Sequence, residues 1–204
     1  MTGSQTTCFG LIRHATTLWN EQKIIQGQQD SQLAEAGCRM AISWGQTLAP
    51  FSWQRIICSD LGRTRETAEL VNQELNVPIH HDKRLREQDW GSWTGMTLAH
   101  VKAEHKQLLK SMVRSGWLFQ PPGGESREQV LKRSLNALHD AHITWPGESI
   151  LIVCHEGVIK CLLYHLTNRQ FLPEEPQLLK SRHLHMIKQI GHQLSIKKIN
   201  HQRL

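Results

Sequence analysis

The sequence has one tyrosine, no Cys-x-x-Cys pair and no apolar run near the roughly 20 residues that span a bilayer. Each absence excludes something. Without a long apolar run, no membrane helix is expected. The five cysteines, Cys8, Cys38, Cys58, Cys154 and Cys161, are odd in number, and four sit among apolar neighbours as buried thiols do. That usage does not build a disulfide framework and points to a reducing compartment. The opening residues, MTGSQTTCFGLIRH, lack the basic stretch and apolar centre of a secretory leader, so the expected location is the cytoplasm. Internal repeats and low-complexity tracts are also missing, which excludes repeat arrays and biased tails.

What is present fits a globular chain. Its 204 residues suit one domain, 1–204, with a sizeable core. The apolar share is 39% and the charged share 21%, neither of which suggests disorder. The net charge of +6 favours an anionic partner: a phosphorylated metabolite, nucleic acid or a membrane surface. The basic residues are scattered, and the densest cluster, Lys83-Arg84 with Arg86, is too small for a nucleic-acid arm.

Short apolar runs at Phe9–Ile12, Arg55–Cys58 and Ser149–Cys154 read as buried strands, and Leu194–Ile199 as a final alternating strand. Helical spacing covers Leu33–Leu48, Arg63–Leu75, Leu98–Val113, Ser126–His142 and Val158–Leu166. Thr16–Ser31 reads as a loop with one helical turn, Asp82–Met96 as a functional loop, and about 96–125 as a helical lid-like segment closed by Pro121-Pro122-Gly123-Gly124. Strands alternating with helices predict an α/β class, a three-layer α/β/α sandwich around a mostly parallel sheet. Ligands of such sheets sit at the carboxyl ends of strands. Arg13-His14, Ser59 to Arg63 and His155 all follow predicted strands there.

Those residues suit phosphoryl transfer. The reaction needs cations or N–H groups around the non-bridging oxygens, an in-line nucleophile and an acid at the leaving oxygen. Arg13 and Arg63 offer planar forks that match phosphate. A neutral imidazole can attack phosphorus, and a second one, if protonated, adds charge and donors. Taken singly, a histidine after a strand is more often structural, and there are 13 in this chain.

The blocks together are more specific. LIRHATTLWN (Leu11 to Asn20), IQGQ with Asp30, LAEAG, CSDLGRT (Cys58 to Thr64), LRE (Leu85 to Glu87) with GSWTG, PGGES and IVCHEGVI (Ile152 to Ile159) occur in this order. They resemble the motifs of the histidine phosphatase superfamily, the phosphoglycerate-mutase-like proteins, over nearly the whole chain. The resemblance implies His14 as the phosphorylated nucleophile, Arg13, Arg63 and His155 as the phosphate pocket, and Glu87 as proton donor and later base. It implies loop contacts to phosphate or substrate from Asn20, Gln26 and Gly27, and it implies no metal and no cofactor. The expected activity is hydrolysis of a small phosphate monoester, by a monomer or homodimer. The short stretch after Glu87 and the PPGGES run look more like phosphatase branches, including those acting on α-ribazole or sugar phosphates, than like mutases.

Four positions depart from the motifs: Ala15 and Glu156 stand for glycines, and Thr16 and Thr94 for glutamates. Asp89 is a rival acid to Glu87. A phosphoglycerate-type mutase and a non-catalytic binding or regulatory member are the alternative readings. A cysteine phosphatase is disfavoured, because its Cys-x5-Arg spacing falls on Lys160 after Cys154 and is one residue short between Cys58 and Arg63. His183 and His185 would share a strand face, but with no acidic or Cys partner close by they read as solvated or core residues rather than metal ligands. Trp19, Trp90 and Trp93 lie in loops where they can wall a substrate or simply pack.

Overall fold

Runs of isoleucine, leucine and valine too short to be helices supply the centre of the molecule. The computed structural model describes residues 5–204; the first four, on which part of the leader expectation rests, lie outside the described residues. The chain forms β1 (Thr6–Arg13), α1 (Leu18–Glu21), α2 (Glu35–Leu48), β2 (Arg55–Cys58), α3 (Gly62–Leu75) and β3 (Ile79–His81). It continues through α4 (Leu98–Glu104), α5 (Lys106–Arg114), α6 (Arg127–Thr144), β4 (Ser149–Cys154), α7 (Glu156–Leu166), β5 (His183–Ile190) and β6 (Gln193–Arg203).

The six strands make one sheet in the order β3-β2-β4-β1-β5-β6. Neighbours from β3 to β1 run parallel, whereas β5 is antiparallel to β1 and β6 to β5. Side chains alternate between two faces. Ile150, Ile152 and Cys154 of β4 join Phe9 and Leu11 against α6 and α7. Leu151 and Val153 join Ile12, Ile56 and Cys58 against α2 and α3. These are the three layers of the expected sandwich. A continuous apolar strand such as SILIVC is what burial on both faces requires.

Three elements differ from the sequence reading. β5 was not expected, because its apolar pattern is interrupted by histidines and its pairing with β6 shifts register around Met186. β3, three residues long, was not expected either. The helix expected over Leu98–Val113 is two, broken at His105, whose backbone leaves the helical region (φ −122°, ψ 31°). Here a separate small core gathers Trp93, Val101 and Phe119 with Met96, Leu109 and Met112. No helix among the described residues is long and apolar enough to cross a membrane.

Strand order positions the site. β2, β4 and β1 are adjacent and parallel, with Arg13 opposite Cys154 and Cys58 opposite Val153. Their carboxyl ends therefore release His14, Ser59 and His155 at one edge of the sheet.

Candidate active site

His14 follows β1 directly and is 5% exposed. Its Nδ1 lies 2.8 Å from the carbonyl of Ala15. A carbonyl only accepts, so Nδ1 carries the ring proton and, in the neutral ring, Nε2 keeps its lone pair. Burial, then Arg13 and Arg63, hold the pKa of His14 well below the ordinary histidine value. The ring is thus neutral, with Nε2 free to attack.

His155 follows β4 and starts α7; its ring centroid lies 5.2 Å from that of His14. Here the tautomer is reversed. Nη2 of Arg63 lies 3.3 Å from Nδ1 of His155 and can only donate, so Nδ1 accepts and the proton of the neutral ring sits on Nε2. Burial, then Arg63 and His14, keep this ring well below its ordinary pKa. The protonated second histidine that the chemistry allowed is therefore a neutral donor here. Its Nε2 is buried without a partner. Two neutral imidazoles thus present complementary atoms, one lone pair and one N–H.

Arg63, 1% exposed, is fixed by backbone and by one carboxylate. Nη1 donates to the Gln29 carbonyl (2.6 Å) and to Asp30 Oδ1 (3.0 Å); Nη2 donates to the Gly27 carbonyl (2.7 Å). Its Nε is buried and unpartnered. Asp30 also accepts from the backbone N–H groups of Gly62 (2.6 Å) and Arg63 (3.4 Å). It thereby caps α3, whose own N-cap, Leu61, offers no side-chain acceptor.

The acid candidate comes from the loop after β3. Glu87 accepts from the backbone N–H of Gln88 at 2.8 Å and of Gly157 at 3.3 Å. A Cβ on Gly157 would lie 2.2 Å from Glu87 Oε1, so only glycine admits the carboxylate at the start of α7. Asp89, the rival, spends Oδ1 on the N–H of Gly91 (2.8 Å).

Two cavities meet here. One of about 970 Å³ is lined by Arg13, His14, Thr16 and Asn20 and reaches His183 and His185. The other, about 390 Å³, is lined by Glu87, Gln88, Trp90 and Gly157 with Arg13. Of the remaining predicted residues, Asn20 closes a capping box with Thr17 at the start of α1. Gln26 donates to Thr17 Oγ1 (2.9 Å) and leaves Oε1 buried and unpartnered. Gly27 lines neither cavity; its positive φ of 53° turns its carbonyl onto Arg63. Trp93 belongs to the small core, Trp90 to the second cavity's wall, and Trp19 to neither cavity. His185 is buried, its pKa lowered by burial to about 4, and its Nδ1 accepts from the N–H of Asn200 (3.1 Å). Among the described residues, no group of three or more His, Cys, Asp or Glu is placed to hold a metal ion.

A family model described as the histidine phosphatase superfamily (branch 1) matches residues 9–201. The chain belongs to that superfamily. It is 36% identical over 153 residues to a probable phosphoglycerate mutase GpmB of Cronobacter sakazakii, covering 75% of this chain and 71% of that protein. Among solved structures, Bacillus stearothermophilus YhfR superposes with a TM-score of 0.85 at 30% identity, covering 94% of this chain and 96% of that one. A mycobacterial glucosyl-3-phosphoglycerate phosphatase shares the fold, with a TM-score of 0.84 at 24% identity over 96% and 99% of the two chains.

Three of the four departures from the superfamily motifs now have physical readings. Ala15 needs no left-handed backbone, since it is absent from the positive-φ positions. Its methyl joins the α2/α3 core, and its N–H donates to Thr67 Oγ1 at 3.1 Å. Thr94 stands against Gly27. Glu156 accepts from Arg13 Nη1 (2.7 Å) and pairs with Lys160 (2.6 Å).

Several supporting residues escaped the sequence reading. Thr67 also donates to the Arg63 carbonyl at 2.6 Å, so one hydroxyl links the segment after His14 to the start of α3. Arg133 donates to the carbonyls of Arg84 (2.6 Å) and Glu87 (3.0 Å) and holds both oxygens of Glu125, clamping the acid loop to α6. The only signal was the i, i+4 spacing of Arg63 and Thr67 and the Glu of PGGES, neither of which names a partner.

Proposed function

We propose that the protein is a phosphoric monoester hydrolase that forms a phosphohistidine on His14 Nε2. The observation that carries the reading is the pair of opposed tautomers: a buried lone pair on His14 beside buried, unpartnered N–H donors on His155 and Arg63. In the first step the Nε2–P bond forms and the P–O bond to the leaving group breaks. Arg13, Arg63 and His155 hold the non-bridging oxygens, and Glu87 gives its proton to the leaving oxygen. In the second step water attacks phosphorus, Glu87 takes the water's proton, the P–N bond breaks and orthophosphate leaves. No step needs a metal. The substrate we infer is a small phosphorylated metabolite, and five free thiols support a reducing, cytoplasmic location.

The test is a screen of small phosphate esters followed by an acid–base stability assay of the trapped intermediate. The expected result is an alkali-stable, acid-labile phosphoryl group on His14. With His14→Ala, turnover should fall by about 10⁴ or more. Retained hydrolysis by that variant would sink the reading, and a wild type inert to the whole screen would favour a binding role. A phosphoglycerate-type mutase is the second reading, favoured by the names of the curated relatives. Rapid isomerisation of 3-phosphoglycerate in the presence of 2,3-bisphosphoglycerate would select it over phosphate release.

A further inference from the structure

Among the described residues, Arg13 and Glu156 alone line both cavities. His14 lines only the larger one and Glu87 only the smaller. A phosphoryl group in flight between His14 Nε2 and a leaving oxygen protonated by Glu87 must therefore lie where this ion pair forms the partition. The pair is close, 2.7 Å, and half-exposed, with side chains 39% and 45% accessible. Glu156 has a second cation in hand: Lys160, one turn further along α7, touches Oε1 at 2.6 Å while Arg13 touches Oε2.

We propose that Glu156 is a positioning residue that holds Arg13 until a phosphate dianion displaces it, with Lys160 retaining the released carboxylate. This rests on the phosphatase reading, in which Arg13 binds phosphate. The phosphate must compete with a carboxylate for one guanidinium. The ion pair is accessible to solvent, so the competition is modest rather than prohibitive.

Calorimetric titration of the full chain with inorganic phosphate tests this apart from turnover. Glu156→Gln removes the competing charge at constant shape and should tighten phosphate binding about fivefold. The same variant should lower KM for a monoester by a similar factor and leave kcat within about twofold. Glu156→Asp should return affinity toward wild type. Lys160→Gln leaves Glu156 with Arg13 alone and should weaken phosphate binding about threefold. A general folding defect would not move the two neutral variants in opposite directions. Unchanged or weaker binding by Glu156→Gln overturns the inference and leaves the phosphatase reading intact. Absence of phosphate binding and of turnover in the wild type would overturn both.

Discussion

The two halves of the site are built differently. The half proposed to hold the nucleophile, His14, Arg63 and His155, sits at the ends of core strands or the first turn of α3, with no member more than 5% exposed. Its protonation states follow from burial and from single fixed partners. The half proposed to supply the acid is one carboxylate, Glu87, on a loop, held by two backbone N–H groups and by a clamp through Arg133 and Glu125. The first half inherits its precision from the sheet. The second depends on α7 and α6 reaching back to a segment with no regular structure of its own. Damage to the acid half should therefore change the chemistry while leaving phosphate binding in place.

The sharpest way to break that contrast is Glu87→Gln. It should lower kcat by about 10² to 10³ with an alkyl phosphate, and far less with a nitrophenyl phosphate whose leaving oxygen needs no proton. Orthophosphate affinity should stay within a few-fold. Asp89→Asn should leave kcat within about threefold, since that side chain serves the Gly91 turn. If Asp89→Asn were the damaging change, the acid would have been misassigned.

The same contrast governs what could be read from sequence. The nucleophile half was legible because each member follows a dense apolar run or opens a helix, and the strand-end rule brings such residues together. The layers were legible for the same reason: SILIVC, short and apolar throughout, fits a strand buried on both faces. β5 was not legible, because a register shift and two histidines blur its alternation. The roles within the pocket were also hidden. Nothing in a sequence says that Ala15 O and Arg63 will set opposite tautomers in two neighbouring histidines. Nor does it say that Arg133 meets the Glu87 carbonyl across 46 positions, or that the Glu87 carboxylate lies against Gly157 across 70. Such contacts depend on tertiary distances that only packing fixes.

Gly157→Ala probes the point where the halves touch. The added methyl would stand 2.2 Å from Glu87 Oε1, so the carboxylate must move away from the α7 N-terminus. The expected outcome is a fall in kcat of about 10- to 100-fold, consistent with misplacing a catalytic group by about an ångström. Stability should fall by about 1 kcal/mol or less, because Gly157 is only partly buried and its backbone is already helical. An unchanged kcat would mean that the observed Glu87 position is not the working one.

The smallest expected effect is an absence, and it isolates the nucleophile half. A histidine with the ordinary value of 6.5 is about nine-tenths protonated at pH 5.5. His14 and His155 are both held well below that value by burial and neighbouring guanidinium groups. Lowered pKa values favour the neutral rings, so both should stay neutral as the pH falls from 7.5 to 5.5. In that window the unfolded chain takes up protons that the folded chain does not, so these two residues lower folding stability as the pH drops. NMR of the ring protons, assigned by comparison with His14→Ala and His155→Ala, should show two resonances that do not titrate in this range. Adding inorganic phosphate should move their titration upward into it, because a bound dianion stabilises both imidazolium forms. Free-protein titration of either ring near 6.5 would place it in a solvated setting, and the difference between the two halves would then reduce to sequence position alone.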